Sequence, residues 1–102
     1  MALERIWVTP LGDNHEASRR LRRLAEVYEP ETRDLLDLVR SMRGHQRIRN
    51  AIDLGCGPGW STQLMAQILT PLRTIGLEVS ARYVAEARSN HPALEFIQHN
   101  VL

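Results

Sequence analysis

The sequence predicts an α/β chain: a Rossmann-like doubly wound parallel sheet, of which the first three strands are present, preceded by two N-terminal helices. Three observations carry this prediction. From Asn50 onward, short apolar runs alternate with helix-periodic stretches. The first of those runs leaves directly into a glycine cluster, Gly55-Cys56-Gly57-Pro58-Gly59. Residues 1–50, by contrast, are helical in pattern and hold ten of the 13 arginines and eight of the 12 acids.

Leu11 to Asn14 carries a Gly-Asp-Asn turn signal, and Asp13 or Asn14 is placed to cap a helix running to about Tyr28. Ala17, Leu21, Leu24, Ala25 and Tyr28 recur at three- and four-residue steps and give that helix one apolar face. Glu29-Pro30-Glu31 reads as a fresh helix start, because proline at a first turn lacks only an N–H that has no partner there. Leu35, Leu36, Val39 and Met42 form the expected buried stripe of the second helix, and Gly44 is its expected stop. Ala51 to Leu54 then reads as a buried parallel strand, and Ser61 to Leu69 as a helix with Leu64, Met65 and Ile68 on one face. Thr74 to Val79 is the second strand, and Ser80 caps a helix from Ala81 to about Ser89. Asn90-His91-Pro92 ends that helix, and Leu94 to Ile97 starts the third strand. Strands alternating with helices in this order imply right-handed crossovers and a parallel sheet.

Composition narrows the chemistry. All 13 basic residues of the 102 are arginine, so no step within this chain uses a lysine Schiff base, a P-loop lysine or a lysine base. A net charge of +1 excludes a globally polycationic nucleic-acid binder, and a 43% hydrophobic fraction excludes a disordered chain. The single cysteine forms no internal disulfide and no thiolate zinc cluster. No apolar run reaches the ~18 residues of a membrane span, and the N-terminus lacks a signal-peptide pattern, so a cytoplasmic protein is expected. Arg19, Arg20, Arg22 and Arg23 read as a solvated helix face in preference to a nucleic-acid patch, with Arg22 spaced to pair with Glu26; one of them is also placed to bind a substrate carboxylate. The four histidines show no metal-ligand spacing, so no metal is expected.

The chemistry sits in Asp53-Leu54-Gly55-Cys56-Gly57-Pro58-Gly59 and in Glu78. A strand entering a helix through three glycines lets a ligand approach main-chain atoms. Glu78, at the end of the second strand, is placed to accept hydrogen bonds from ribose hydroxyls. A dinucleotide fingerprint needs a small residue where Trp60 stands, which counts against an NAD-type binder. Cys56 at a helix start invites a nucleophile reading, but a small residue fitted between two glycines is the better one.

The run from Ala51 to Gly59 resembles motif I of class I S-adenosylmethionine-dependent methyltransferases. Gly76-Leu77-Glu78-Val79-Ser80 resembles that family's second motif, and Phe96-Ile97-Gln98-His99-Asn100 its third. The lead-in, Leu11-Gly12-Asp13 with Ser18-Arg19-Arg20-Leu21 and Glu29-Pro30-Glu31-Thr32, looks like that of bacterial members acting on small molecules. The resemblance implies S-adenosyl-L-methionine as cofactor. Asp53, Gly55 and Gly57 would hold its methionine portion, Glu78 its ribose, and Val79 and Asn100 its adenine, with Cys56 and Gly59 also at the cofactor; no catalytic base is implied. It further implies that residues 1–49 are a helical lead-in covering the cofactor mouth and that residues 50–102 are the first half of the cofactor-binding domain. A small-molecule acceptor would be the substrate. The absent fourth strand leaves the first strand's edge open to a second copy or a partner chain, so a non-catalytic methyltransferase-like module is the alternative.

Overall fold

The computed structural model describes residues 14–100. The turn signal at Leu11-Gly12-Asp13, Asp13 as a cap, and the chain beyond Asn100 lie outside the described residues.

Three helices and three strands follow in the order α1 (His15–Arg43), β1 (Asn50–Leu54), α2 (Trp60–Leu69), β2 (Arg73–Glu78), α3 (Ala81–Asn90) and β3 (Glu95–Gln98). The strands form one parallel sheet in the order β1-β2-β3. Ile52 pairs in register with Ile75, Leu54 with Leu77, and Leu77 with Ile97. Because side chains alternate along a strand, these five residues share one sheet face. The other face carries Ala51, Thr74, Gly76, Glu78 and Phe96, all buried under the helices.

The core on that face is built around close backbone approach. Phe96 packs with Cys56, Val84 and Ala87, and Leu94 closes its edge. A Cβ on Gly76 would lie 2.7 Å from the Phe96 ring and 2.8 Å from the Cys56 sulfur, so β2 must be bare there. Asn14 caps α1, its Oδ1 accepting from the Ala17 N–H at 2.8 Å, and Ser80 caps α3 by accepting from the Tyr83 N–H.

One expectation is corrected. The two N-terminal helices are a single 29-residue helix, α1, with Pro30 inside it. Proline removes one intrahelical donor, but the exposed Glu26 carbonyl turn can be solvated. On either side, Arg22–Glu26 and Arg33–Glu29 ion pairs at i, i+4 spacing support the helix. The buried stripe expected near its C-terminus is also only partly formed: Leu36 and Val39 are half-buried, whereas Leu35 is 62% exposed and Met42 78%. Only the N-terminal half of α1 is sealed against the body, by buried Ala17 and by the Ser18 hydroxyl donating to Glu86 of α3.

Pro30→Ala is expected to stabilise the chain by about 1–3 kcal/mol, since the interior proline withholds a hydrogen bond that alanine restores. A urea unfolding curve followed by circular dichroism checks this. Gly76→Ala is expected to destabilise by about 1–3 kcal/mol through overpacking against Phe96. Unfolding midpoints unchanged in that variant would contradict the core described above.

Candidate functional site: the glycine loop and Glu78

The loop between β1 and α2 is held from below by β2. Gly55, Gly57 and Gly59 have φ of +70°, +54° and +95°, values that side chains rarely adopt. The Leu77 carbonyl accepts from both the Gly55 N–H (2.8 Å) and the Cys56 N–H (3.0 Å). The Gly57 N–H donates to Glu78 Oε1 at 2.9 Å, and the Gly59 N–H to the Cys56 carbonyl at 3.1 Å. Pro58 has no N–H, so every donor from residue 55 to residue 59 is satisfied within the protein. Within residues 55–59 the loop therefore leaves no free N–H group.

Glu78 is buried, and its second oxygen accepts from the Ser80 N–H at 2.8 Å. One carboxylate thus ties the glycine loop to the start of α3, where the helix dipole favours negative charge. The strand-end acid is not solvated, and each of its oxygens retains a further lone pair for a ligand. Beside it, β2 and β3 are extended by the His99 N–H donating to the Glu78 carbonyl, and Gln98 Nε2 donates to the Val79 carbonyl. Val79 and Asn100 are half-buried at this same end of the sheet.

Asp53 ends up differently from Glu78. Its Oδ2 accepts from both Ser61 Oγ (2.6 Å) and Thr62 Oγ1 (2.7 Å), the hydroxyls in the first turn of α2. Gly59, the N-cap of that helix, offers no side-chain bond, so the Asp53 carboxylate supplies the negative charge at its positive end. Oδ1 of Asp53 receives no hydrogen bond from the described residues.

The glycines separate into two kinds. A Cβ on Gly55 would meet nothing within 4 Å, so the loop is open there. A Cβ on Gly59 would lie 2.8 Å from His91 and 2.9 Å from Phe96, so Gly59 serves packing toward the core. Gly57 faces α1, with Leu21 at 3.9 Å. Cys56 is buried, and desolvation pushes its thiol up to about 12, with the Asp53 and Glu78 carboxylates adding to the shift. It is inert at neutral pH.

Several residues here were not singled out from the sequence. Leu21 brings α1 over the loop, and Ser61 and Thr62 clamp Asp53; a Ser-Thr pair in the first turn after a glycine loop is the signal that could have found the clamp. His91 sits beneath the loop, edge-on to Trp60 with ring centroids 4.9 Å apart, and neither ring nitrogen has a partner among the described residues. The Arg22 guanidinium lies 4.8 Å over the other partner's ring, that of Trp60, while pairing with Glu26. Between α1 and α2 is a cleft of about 280 Å³ lined by Arg22, Tyr28, Thr32, Trp60 and Gln63. Neither carboxylate of the loop lines it. The described residues hold no cluster of three or more groups suited to a metal, and none of their helices is long and apolar enough to cross a membrane.

A strand–glycine loop–helix unit with an acid at the end of the next strand defines a Rossmann-like domain of the kind that binds nucleoside cofactors. The sequence profile of the family described as a methyltransferase domain matches residues 51–102. The chain belongs to this family, and corresponds to the N-terminal part of its domain. Among curated proteins it is 42% identical over 52 residues to a trans-aconitate 2-methyltransferase of Paracidovorax citrulli, covering 51% of this chain and 20% of that protein. It is 35% identical over 79 residues to one of Acidovorax sp. strain JS42, covering 76% of this chain and 30% of that protein. The chain thus spans between a fifth and a third of the length of these relatives. Among solved structures, DesVI of Streptomyces venezuelae aligns with a TM-score of 0.65 and 27% identity, over 85% of this chain and 36% of that one. The sugar N-methyltransferase KedS8 of Streptoalloteichus shares the fold, with a TM-score of 0.66 and 18% identity over 98% of this chain and 38% of that one.

Burial holds the His91 imidazole below its ordinary value of 6.5. The unfolded chain therefore binds this proton more readily than the folded one. Stability is full above the unfolded value and falls as pH drops below it toward the folded-state value. Urea midpoints measured at about pH 7.5 and about pH 5.5 are expected to be lower at the acid end, and His91→Leu is expected to reduce the difference. In the same folded chain, Cys56 is expected to resist iodoacetamide until urea unfolds the loop; fast native alkylation would contradict its burial.

Proposed function

We propose that this chain is the cofactor-binding part of an S-adenosylmethionine-dependent methyltransferase that acts on a small-molecule acceptor in the cytoplasm. The observation that carries the reading is the loop's polarity. Its N–H groups are consumed internally, and the ionised groups at its mouth are two carboxylates, Asp53 and Glu78. Such a mouth suits a ligand bearing positive charge and hydroxyls. A ribosyl sulfonium with an α-ammonium fits that description, and Trp60, where a dinucleotide fingerprint needs a small residue, counts against NAD. The open space at Gly55 is the cradle that such a ligand requires.

In this reading Glu78 accepts from the ribose hydroxyls while keeping the loop closed, Val79 packs on the adenine, and Asn100 accepts from its amino group. Asp53, Gly55, Cys56, Gly57 and Gly59 form the methionine side, with Gly59 acting indirectly by letting the loop settle onto the core. Residues 1–49 are the helical lead-in and residues 50–102 the cofactor half. The cofactor, when bound, supplies an electrophilic methyl group on sulfur. The protein's part is to fix that group's position and exclude water from it. The trans-aconitate relatives and the sugar-methylating neighbour support a small acceptor.

The second reading is a non-catalytic module that pairs through the free edge of β1. It rests on the exposure of Ile52 (53%) and Leu54 (64%) beside that edge. Calorimetric titration separates the two. S-adenosylmethionine and S-adenosylhomocysteine are expected to bind and NAD is not, and Glu78→Ala is expected to weaken both adenosyl ligands by at least about 30-fold, because it removes the ribose acceptor and opens the loop. Absence of heat with every ligand would sink the enzymatic reading. Binding of NAD in preference would point back to a dinucleotide site.

A further inference from the structure

Asp53 has one oxygen occupied and one left over, and the residues responsible lie on α2. Thr62 is fully buried, and its hydroxyl donates to Asp53 Oδ2 at 2.7 Å; Ser61 donates to the same oxygen at 2.6 Å from the solvent side. A carboxylate held at one oxygen by two donors from a helix turn cannot rotate freely about its terminal torsion. Its other oxygen, Oδ1, receives nothing from the described residues. Asp53 is two residues ahead of Gly55, where the loop leaves open space.

We infer that Thr62, assisted by Ser61, is a positioning residue that locks Asp53 so that Oδ1 alone addresses the ammonium of the ligand's amino-acid portion, directly or through one water. This rests on the proposed adenosyl-sulfonium site and assigns within it a division of labour: β2 and Glu78 read the nucleoside, and the first turn of α2 reads the amino acid through Asp53. The clamp matters because a freely rotating carboxylate loses orientational entropy on binding, and a clamped one has already lost it on folding. The bond to Asp53 offsets the cost of burying the Thr62 hydroxyl in a fully buried position of α2.

The test uses two ligands that differ in the amino-acid portion. S-adenosylhomocysteine carries it, and 5′-methylthioadenosine keeps the nucleoside and the sulfur without it. Thr62→Val is close to isosteric and removes the hydroxyl. It is expected to weaken S-adenosylhomocysteine by about tenfold in calorimetry while 5′-methylthioadenosine stays within about twofold. Thr62→Ser is expected to restore the affinity. Ser61→Ala, at an exposed position, is expected to give a smaller loss with the same ligand selectivity, and it carries the test if Thr62→Val fails to fold by circular dichroism. Equal losses for both ligands, or no loss in either variant, would overturn the assignment. Failure of the unmodified chain to bind S-adenosylhomocysteine would instead overturn the site reading itself, and this assignment with it.

Discussion

The structure depends on one buried carboxylate. Glu78 stands at the end of the middle strand, with one oxygen on the Gly57 N–H and the other on the Ser80 N–H. Burying a charge without a counter-ion costs several kcal/mol unless its lone pairs are filled, and here two backbone donors and the positive end of α3 do so. In return the β1–α2 loop and the β2–α3 corner are joined at a single point. The left-handed glycines, the orientation of α2 and the opening at Gly55 all follow from how that loop is held.

The same constraint gives the loop its chemical polarity. With Leu77 taking two N–H groups and Glu78 a third, the loop turns its donors into the protein and leaves carboxylates at its mouth. A glycine-rich turn that binds phosphate does the opposite. The two kinds of turn look alike as strings of glycines, and what separates them is where the N–H groups end. The packing beneath is equally specific. Gly59 and Gly76 are bare so that His91, Phe96 and the Cys56 sulfur fill the space a Cβ would take, and that filling leaves the thiol too desolvated to react.

The sheet is covered unevenly. Right-handed crossovers put α2 and α3 on one face, and α1 joins them there, packed against α2. Ile52, Leu54 and Ile97 on the opposite face are exposed among the described residues, as is the free edge of β1. Strands apolar on both faces belong to sheets covered on both sides. The described residues therefore build the part of such a sheet that carries the glycine loop, consistent with a match to only part of each longer relative.

Much of this was legible from residues alone. The change of period at Asn50, the loop glycines and the strand-end acid determined the element order, the parallel sheet and the place of the site, because hydrophobic spacing and glycine's φ freedom are local properties. The cap at Ser80, and that at Asn14 as one of two candidates, were legible for the same reason, and from β1 onward strand and helix limits fell within a residue of expectation. Pro30 misled, since its usual place at a first turn is a local rule, whereas the helix here runs continuously through it from His15 to Arg43. Which glycine is open to solvent and which faces the core, that Leu21 lies over Gly57, that Thr62 clamps Asp53, and that His91 is buried without a hydrogen-bond partner among the described residues were settled by the tertiary structure alone. Each is a distance between residues far apart in the chain or a burial made by such neighbours, and no periodicity within the sequence encodes it.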